Sequence, residues 1–538
     1  MMPAHNGGKP IVLTASRAEI SDYSGDPFAA FMSTFPHKWI PRWFLNEKWL
    51  EPKDRPDGSA MFVPYGLRKI EALLVDEFGE ENVITVHPEN LDKFVGPETK
   101  AVGISSMDPM GLAYVSITYN SMIGIGGASV DEVEFKKIVD NPSLREYRPK
   151  VIVGGGGAWQ IRDAGKVEEY GIDTLVHAES ELVAVDVFRK AMNGSDMPKE
   201  VNGTHVPLDK IPTIRNAASY GVVEITRGCG RGCQFCSPTN RTRHSIPIDM
   251  VMKEVEANIR GGANSVFTAT EDMLIYDCGP KFVPNRESIV KLYKTIADYP
   301  GVEYVHLSHT SLAPAVYDPK IIEELTPILL PKTKYKKGFR NYKESFVTVL
   351  FGIETGSIRL MEKYMRGKAL PYDVKNWHEV VTQGVGVFND NGWRPMGTII
   401  TGWPGETEDD TLQSLELIDK LKGAKMFHVP LLFIPLEDSK LRDEKRISLE
   451  NMTELQWEIM SNCWRENIKV WEPTKQPIFS VAALFSYYLY YRWKHGPKAF
   501  RPIMKLAGFP DSFLGKVSRG CDPSYCGNEE GPKDKMSS

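Results

Sequence analysis

The sequence predicts an α/β protein in which a doubly wound, Rossmann-like domain precedes a partial (β/α) barrel and a mostly helical C-terminal region. Two series of alternating strand-like and helical segments indicate this order, one before residue 194 and one after residue 221. The stretch between them contains several glycines and prolines and no sustained periodicity, which is typical of a linker. We therefore expect domains at residues 1–196 and 221–445, a linker at 197–220 and a helical region at 446–538.

The first series contains five short apolar segments of the kind that form buried parallel strands. These strand candidates are residues 11–14, 83–86, 101–106, 150–153 and 174–177. Apolar residues recur at helical spacing near residues 67–77 and 181–192. Residues 40–58 are rich in Trp, Pro and Lys, and they predict an irregular insertion into this domain.

The second series repeats a strand-then-helix order, which predicts a partial barrel with its functional residues at the carboxyl ends of the strands. Its strand candidates are residues 222–226, 265–268, 304–307, 347–351, 397–401 and 425–433. Its helix candidates are residues 249–261, 287–298 and 411–421. The tail carries an aromatic stripe, formed by Phe485, Tyr487, Tyr488, Tyr490, Tyr491 and Trp493.

Composition narrows the class of protein. The chain has 538 residues, 42% of them hydrophobic and 25% charged, as in soluble proteins with more than one core. Its net charge of −5 provides no general attraction for nucleic acid, so we expect no nucleic-acid partner. No apolar run is long enough for a transmembrane segment, and the N-terminus lacks the pattern of a secretory signal. We therefore expect a cytoplasmic protein.

The most specific motif is a run of three cysteines. Cys229, Cys233 and Cys236 stand within the sequence Glu-Ile-Thr-Arg-Gly-Cys-Gly-Arg-Gly-Cys-Gln-Phe-Cys, where glycines allow a tight loop. Three thiolates suit a [4Fe–4S] cluster and leave its fourth iron open for chemistry. A zinc loop is the alternative, although no second ligand pair lies nearby at zinc spacing.

The Cys-x3-Cys-x2-Cys spacing resembles the radical S-adenosylmethionine (SAM) superfamily, and the resemblance extends over roughly residues 222–435. It implies that the open iron binds SAM and that Phe235 lies against the adenine. It also implies SAM contacts from Thr270 and Glu271, in the sequence Thr-Ala-Thr-Glu-Asp after the second strand of this series. Glu354, in Phe-Gly-Ile-Glu-Thr-Gly-Ser, is implied to lie near the SAM ribose or methionyl group.

A further segment, Thr-Gly-Trp-Pro-Gly-Glu-Thr at residues 401–407, matches a turn of the same family. Two interpretations of it stay open. Gly402, Pro404 and Gly405 either contact SAM or only shape a turn. Glu406 either contacts the cofactor or is stabilised as a carboxylate at a helix N-terminus.

The order of elements before residue 194 resembles the cobalamin-binding domain that precedes many radical SAM domains. Ligands of open parallel sheets bind beyond the carboxyl ends of the strands, where three candidate loops lie. The residues implied to bind cobalamin are Ser105, Ser106, Met107, Asp108, Met110, Gly154, Gly155, Gly156, Gly157 and Glu179. Many such proteins carry an Asp-x-His-x-x-Gly cobalt-binding loop, whereas this chain has Met110 and Ala113 in place of the histidine and glycine. This departure implies cobalt without a lower protein ligand, and the alternative at this position is Met110 as a thioether ligand. The alternative for the whole domain is a glycine-rich, flavodoxin-like domain that binds another cofactor or none.

Other chemically reactive side chains remain. His306 and His309 follow a barrel strand, and we expect His309 to serve as a proton donor or substrate contact, with a hydrogen-bonded wall residue as the alternative. Cys278, Cys463, Cys521 and Cys526 are most simply unrelated free thiols.

The combined resemblance implies a cobalamin-dependent radical SAM methyltransferase that takes a methyl group and a radical from SAM and requires a low-potential electron donor. The whole-chain pattern resembles archaeal proteins of this type. They include the C-methyltransferase that acts on a glutamine of methyl-coenzyme M reductase and enzymes that form rings in membrane lipids. We expect a protein or peptide substrate; a lipid substrate, and a cobalamin-binding sensor or scaffold, are the alternatives.

Overall fold

A computed structural model gives the fold. It describes residues 7–40, 43, 50–123, 127–338, 342–436, 439–471, 486, 489–490, 493 and 505–506. Within these residues the chain forms one large parallel sheet followed by a second, curved series of parallel strands. The mixed α/β class that the sequence predicts is therefore confirmed.

The first sheet has six strands, all paired in parallel, in the order β2-β1-β3-β4-β5-β6. These strands are β1 (Ile11–Ala15), β2 (Val83–Thr85), β3 (Ala101–Ser105), β4 (Lys150–Gly154), β5 (Thr174–His177) and β6 (Glu200–Asn202). The helices that accompany them are α1 (Arg17–Ile20), α2 (Tyr65–Phe78), α3 (Leu91–Phe94), α4 (Tyr114–Ile123), α5 (Val130–Val139), α6 (Pro142–Tyr147), α7 (Ala158–Asp163) and α8 (Ala184–Met192).

Both faces of this sheet are buried, which explains why its strands are continuous apolar runs. Val12 and Val102 belong to a core on one face, together with residues of α5. Ile11 and Leu13 belong to a core on the other face, together with residues of α2 and α8. The sheet is thus doubly wound, as predicted. The strand order reverses beside β1, so the crevice for a ligand is expected at the carboxyl ends of β1 and β3.

The second series contains nine strands. They are β7 (Val222–Glu224), β8 (Thr226–Arg227), β9 (His244–Ser245), β10 (Ser265–Ala269), β11 (Tyr304–Leu307), β12 (His309–Thr310), β13 (Leu350–Glu354), β14 (Met396–Thr401) and β15 (Phe427–Leu432). Two parallel sheets, of order β11-β10-β7 and β12-β13-β14-β15, meet where Ser308 interrupts one strand. The backbone N–H of Leu350 donates to the Ser308 carbonyl at 3.0 Å, so the curved wall continues across this break.

Helices of this series pack outside the strands around a large apolar core. They are α9 (Ile248–Arg260), α10 (Arg286–Ala297), α11 (Leu312–Tyr317), α12 (Lys320–Leu329), α13 (Ile358–Tyr364), α14 (Trp377–Asp390) and α15 (Glu408–Lys420). α16 (Glu454–Trp471) lies in the region that the sequence predicts to be helical. Of the aromatic stripe, only Tyr490 and Trp493 are within the described residues, and both are exposed.

Three segments differ from the predictions. The expected linker contains β6, whose exposed polar residues gave no apolar signal because it is an edge strand. The strand expected at residues 222–226 ends at Glu224, and β8 turns away to pair with β9 in antiparallel fashion. The strand expected from residue 347 starts at Leu350 and continues to Glu354.

No helix in the described part of the chain is long and apolar enough to cross a membrane.

Candidate functional site

The three motif cysteines lie in one loop after β8. Gly228, Gly230 and Gly232 adopt positive φ angles of 73°, 77° and 78°, which disfavour other residues. A Cβ atom at Gly228 would lie 2.7 Å from the Thr242 carbonyl oxygen, so the close approach of the two chains also requires glycine. Cys233 is buried and the other two cysteines are half-buried, and all three are free thiols.

The donor set fits an iron–sulfur cluster. Burial raises the pKa of Cys229 to about 11 and that of Cys236 to about 12, where the charges of Cys233 and Cys229 add to the effect. Bound iron would offset this cost of forming thiolates. Within the described residues, no three Cys, His, Asp or Glu side chains are grouped to hold a single metal ion. A cubane differs from a zinc ion in this respect, because each cysteine binds a different iron.

Arg231 fixes this loop, although the sequence did not single it out. Its buried guanidinium donates to Asp272 at 3.0 Å, to Ser311 at 3.0 Å and to the Gly367 carbonyl at 3.1 Å. The cluster loop is thereby tied to the loops that follow β10 and β12 and to the segment after α13. An arginine between two glycines of the cysteine motif is the only sequence signal that could have indicated it.

Glu354 lies at the end of β13, at an unusual positive φ of 64°. Its Oε1 accepts from Lys368 Nζ at 2.8 Å, and its Oε2 accepts from Thr398 Oγ1 at 3.0 Å. Burial acts to lower the pKa of Lys368, but the charges of Glu354 and Cys233 outweigh it and the pKa is raised. Lys368 is therefore a charged member of the site that the sequence prediction missed.

The structure separates the two candidate histidines. His309 is exposed at the start of β12, yet the surrounding protein and the charge of Lys368 lower the pKa of its ring. Glu354 and Lys368 both act on the pKa of His309, so its ring lies near this ion pair. His306 is buried, and burial lowers its pKa to about 4. The charged neighbours of His306 are Asp26 and Lys334, so its surroundings differ from those of His309.

Thr270 and Glu271 directly follow β10, and the Thr270 backbone is within reach of His309. The Thr270 backbone N–H donates to Ser308 Oγ at 3.0 Å, which locks the break between the two sheets. Burial raises the pKa of Glu271, and its Oε2 is a buried atom that has no hydrogen-bond partner among the described residues. Glu271 thus has an acceptor available for a ligand, whereas Thr270 has a structural role as well.

Glu406, in the turn after β14, combines a structural contact with an acceptor available for a ligand, because its Oε1 is buried without a hydrogen-bond partner among the described residues. Its Oε2 accepts from the Gly402 backbone N–H at 2.8 Å, so it closes the turn. Thr407 and Asp410 form a capping box at the start of α15. Phe235 packs edge-on against Trp403 with ring centroids 5.1 Å apart, which connects this turn to the cluster loop.

Two loops of the first domain approach each other at the carboxyl ends of β3 and β4. A Cβ atom at Gly155 (φ 95°) would lie 2.5 Å from the Ser106 carbonyl oxygen, and one at Gly157 would lie 2.4 Å from Pro109. The Ser106 N–H donates to the Gly154 carbonyl at 2.9 Å. Gly155, Gly156 and Met107 are exposed on this edge, and Met107 retains 64% of its exposure. The result is an open edge at which these residues are accessible to a ligand.

Glu19 is a second residue that the sequence prediction missed. It lies in α1, directly after β1, and its Oε1 accepts from the Met107 N–H at 2.9 Å. Its Oε2 and the Oγ of Ser106 are both buried, and the two side chains interact, because Ser106 acts to lower the pKa of Glu19. Polar atoms beside an open surface fit a cobalamin, whose ring carries amide groups that donate and accept hydrogen bonds.

Three residues implied to bind cobalamin have structural contacts instead of facing this surface freely. Asp108 accepts from the Ala113 N–H at 3.0 Å, directly before α4, and from Ser116 within this helix. Met110 packs against the core on one face of the sheet. Glu179 forms ion pairs with Arg227 at 3.4 Å and with Arg241 at 3.6 Å, so it faces the second domain.

Helix α4 connects the two candidate sites. It begins just after the loop of residues 106–113, and Tyr114 in its first turn donates to the Phe235 carbonyl at 3.1 Å. Thr118, one turn further, accepts from the Leu432 N–H at 3.1 Å. The exposed edge of the first sheet and the cluster loop are therefore neighbours.

Comparisons with known proteins give the family of the second series of strands. Residues 223–418 match the family model of the Radical SAM superfamily. A tRNA-2-methylthio-N(6)-dimethylallyladenosine synthase of Thermotoga petrophila is 22% identical over 281 residues, which cover 52% of this chain and 57% of that protein. The ribosomal protein uS12 methylthiotransferase RimO of Parabacteroides distasonis is 23% identical over 255 residues, covering 47% and 53%. The chain thus spans little more than half the length of these relatives.

Two solved structures share the fold over most of the chain. The radical S-adenosylmethionine methyltransferase TsrM of Kitasatospora setae, with cobalamin and a [4Fe–4S] cluster bound, aligns with a TM-score of 0.52 and 14% identity over 81% of this chain and 77% of that one. The same enzyme with tryptophan and a SAM analogue aligns with a TM-score of 0.50 and 14% identity, over 78% and 73%. The comparisons therefore show a radical SAM domain at residues 223–418, within a chain whose fold is similar to that of this methyltransferase.

Proposed function

We propose that the protein is a cobalamin-dependent radical SAM C-methyltransferase that methylates an unactivated carbon. The observation that carries this proposal is the junction that α4 forms between the two candidate sites. The helix begins just after the loop at the exposed edge of β3 and β4, and its residue Tyr114 contacts the backbone of the cluster loop. Such a junction suits a reaction in which two cofactors act on one substrate carbon. Similarity to the fold of a cobalamin-bound methyltransferase supports the same proposed function.

Each group of side chains has a distinct task in this proposal. Cys229, Cys233 and Cys236 hold the [4Fe–4S] cluster, and Arg231 keeps their loop in place. When bound, the cluster and cobalamin supply the electron that cleaves SAM and the methyl group that is transferred. The protein contributes by fixing the reacting groups close together and by excluding water.

His309 is proposed to contact the substrate, because it is exposed and lies near Glu354 and Lys368. The lowered pKa of its ring keeps it neutral at pH 7, and one ring nitrogen can then accept a hydrogen bond while the other donates. A neutral imidazole suits an uncharged amide better than a carboxylate.

We propose a peptide glutamine as the substrate, of the kind modified in methyl-coenzyme M reductase. The net charge of −5 weighs against a nucleic acid, and the uncharged His309 is compatible with an amide side chain. Transfer of a methylthio group, as in the names of the sequence relatives, would also require a sulfur source. The sequence before Cys229 contains no cysteine that could hold a second cluster as that source.

The test is anaerobic reconstitution with iron, sulfide and cobalamin, followed by incubation with a low-potential reductant, SAM carrying a CD₃ group, and a glutamine-containing peptide of methyl-coenzyme M reductase. We expect mass spectrometry to find a CD₃ group on the glutamine carbon chain, together with 5′-deoxyadenosine. Cys233→Ala serves as the matched control and should abolish both products. Deuterium in lipid rings of a total extract, with an unmodified peptide, would favour the lipid alternative. Absence of any SAM cleavage by the reconstituted protein would contradict the enzyme proposal.

A further inference from the structure

Arg231 is the buried cation of the cluster loop, and one of its N–H donors is unused. Its side chain retains 4% exposure. Nη1 donates to backbone carbonyls of the segment 367–370, and Nη2 donates to Asp272 and Ser311, both at 3.0 Å. Nε is buried and has no hydrogen-bond partner among the described residues. A charged donor without an acceptor is costly in a protein interior, so this atom indicates a missing partner.

The place of this donor limits what the partner can be. Nε is the guanidinium nitrogen nearest the main chain, so its acceptor is expected close to the cysteine loop itself. The ring of Phe282 covers the guanidinium, with its centroid 4.5 Å from Arg231 Cζ. Phe282 has a positive φ of 60°, which is unfavourable for an aromatic residue, so the surrounding fold holds the ring in this position. In the loaded protein, the acceptors beside the loop are the sulfur atoms of the cluster and of its ligands.

The charge of Arg231 also reaches these sulfur atoms. Burial raises the pKa of Cys229 and of Cys233, and the Arg231 charge acts in the opposite direction on each. Arg231 is therefore close to two of the three cluster ligands. Asp272 acts on the pKa of Cys229 as well, and raises it, but its effect is smaller than that of Arg231. Positive charge thus predominates beside Cys229, although the cation is ion-paired.

From these observations we propose that Arg231 raises the reduction potential of the [4Fe–4S] cluster, by its charge and by a hydrogen bond from Nε to a sulfur atom. Reduction potentials of such clusters depend on nearby charge and on hydrogen bonds to sulfur. Reduction adds one electron, which a low-potential donor supplies while it is itself oxidised. A buried cation stabilises the reduced form, because that form carries the additional negative charge. The inference rests on the proposed radical SAM function and gives Arg231 a role beyond holding the loop.

The experiment measures the midpoint potential of the cluster-loaded full chain by anaerobic redox titration. The electron paramagnetic resonance signal of the reduced cluster is the readout, and SAM is omitted so that no turnover occurs. For Arg231→Met we expect the equilibrium constant of reduction to fall roughly tenfold, which is about 59 mV for one electron. Arg231→Lys keeps the charge but not the Nε donor, so its potential should fall by less. Arg145→Met, exposed on α6 of the first domain, is the matched control and should keep the wild-type potential.

Asp272→Asn separates this role from a merely structural one. It removes the opposing negative charge, so we expect the potential to rise, whereas it falls in Arg231→Met. Both substitutions break the same ion pair, which is formed at 3.0 Å. A residue that only holds the loop would therefore give losses of bound cluster in both variants, without shifts of opposite sign.

The outcomes distinguish the role of Arg231 from the proposed function. Iron and sulfide content show which variants have assembled a cluster. If Arg231→Met does not retain one, the potential of whichever of Arg231→Lys and Asp272→Asn does so decides in its place. Unchanged potentials in these variants, with SAM cleavage by the wild type, would overturn the role of Arg231 alone. Cluster-loaded wild-type protein that does not cleave SAM would overturn the proposed function itself.

Discussion

Glu19 shows how an acid becomes difficult to ionise at the edge of the first sheet. Burial raises its pKa to about 7, although the hydrogen bond from the Met107 N–H acts in the opposite direction. Asp108 is a nearby negative charge that raises it further. Near neutral pH this side chain is therefore a mixture of a hydrogen-bond donor and an acceptor, next to the surface where we expect the corrin ring.

Glu19→Gln is expected to stabilise the cofactor-free protein at high pH. The folded-state pKa of Glu19 is raised above its ordinary value, so its ionisation costs stability as pH rises from about 4.5 to about 7. The amide cannot ionise, and it keeps an oxygen for the Met107 N–H. The gain in unfolding free energy should grow between pH 5 and pH 8 to roughly 3 kcal/mol at most. Chemical denaturation at both pH values checks this.

The control for that measurement is the exposed Glu168→Gln, for which no such pH-dependent gain is expected. A Glu19→Gln gain that is equal at pH 5 and pH 8 would show that ionisation is not its cause.

At the scale of elements, the loops after β3 and β4 depend on backbone contacts that only glycines permit. Gly155 and Gly157 are in contact with the backbone or ring of residues 106–109. The sequence predicted glycine-rich loops at this edge, but it assigned Asp108 and Met110 to the ligand, whereas Asp108 is bonded to Ala113 and Ser116 at the start of α4 and Met110 packs on the core. Spacing alone does not distinguish a capping residue from a ligand contact.

Gly155→Ala should disrupt cobalamin binding and leave SAM cleavage intact. The new Cβ would overlap the Ser106 carbonyl, and φ of 95° is unfavourable for alanine, so we expect a cost of roughly 1–3 kcal/mol and a displaced loop. Gly165→Ala has a positive φ as well, but nothing lies within 4 Å of its Cβ, so it isolates the cost of φ. Bound cobalamin is quantified by absorbance and 5′-deoxyadenosine by chromatography. Equal cobalamin content in the two variants would contradict the assigned role of this loop.

At the scale of the whole molecule, Arg227 joins the two domains. It pairs with Glu224 at 2.8 Å within its own domain and with Glu181 at 2.7 Å and Glu179 at 3.4 Å in the first domain. Glu179 and Glu181 are largely buried, and Arg227 lies two positions before the first cluster cysteine. The position of the cluster loop relative to the first domain therefore depends on this ion-pair network.

Arg227→Met should destabilise the protein and loosen the contact between the domains. It would leave the mostly buried Glu181 and Glu224 without their cation and Glu179 with Arg241 alone, and removal of one partner from such a network costs about 3–5 kcal/mol. The exposed Arg442→Met is the matched control and should cost less than about 0.5 kcal/mol. Denaturant unfolding gives the stabilities, and limited proteolysis between residues 197 and 221 reports on the contact. A loss below about 1 kcal/mol for Arg227→Met would argue against the network.

The sequence by itself determined the alternation of strands and helices and the three-cysteine loop, because apolar periodicity and closely spaced ligands are local properties of the chain. It also indicated Glu354, since that residue ends a buried strand within a recognisable motif. Only the tertiary structure decided that Lys368, Arg231 and Glu19 belong to the sites and that Glu179 faces Arg227. Their roles arise from burial and from charges distant along the chain, and no local pattern records which distant residue will neutralise a buried charge.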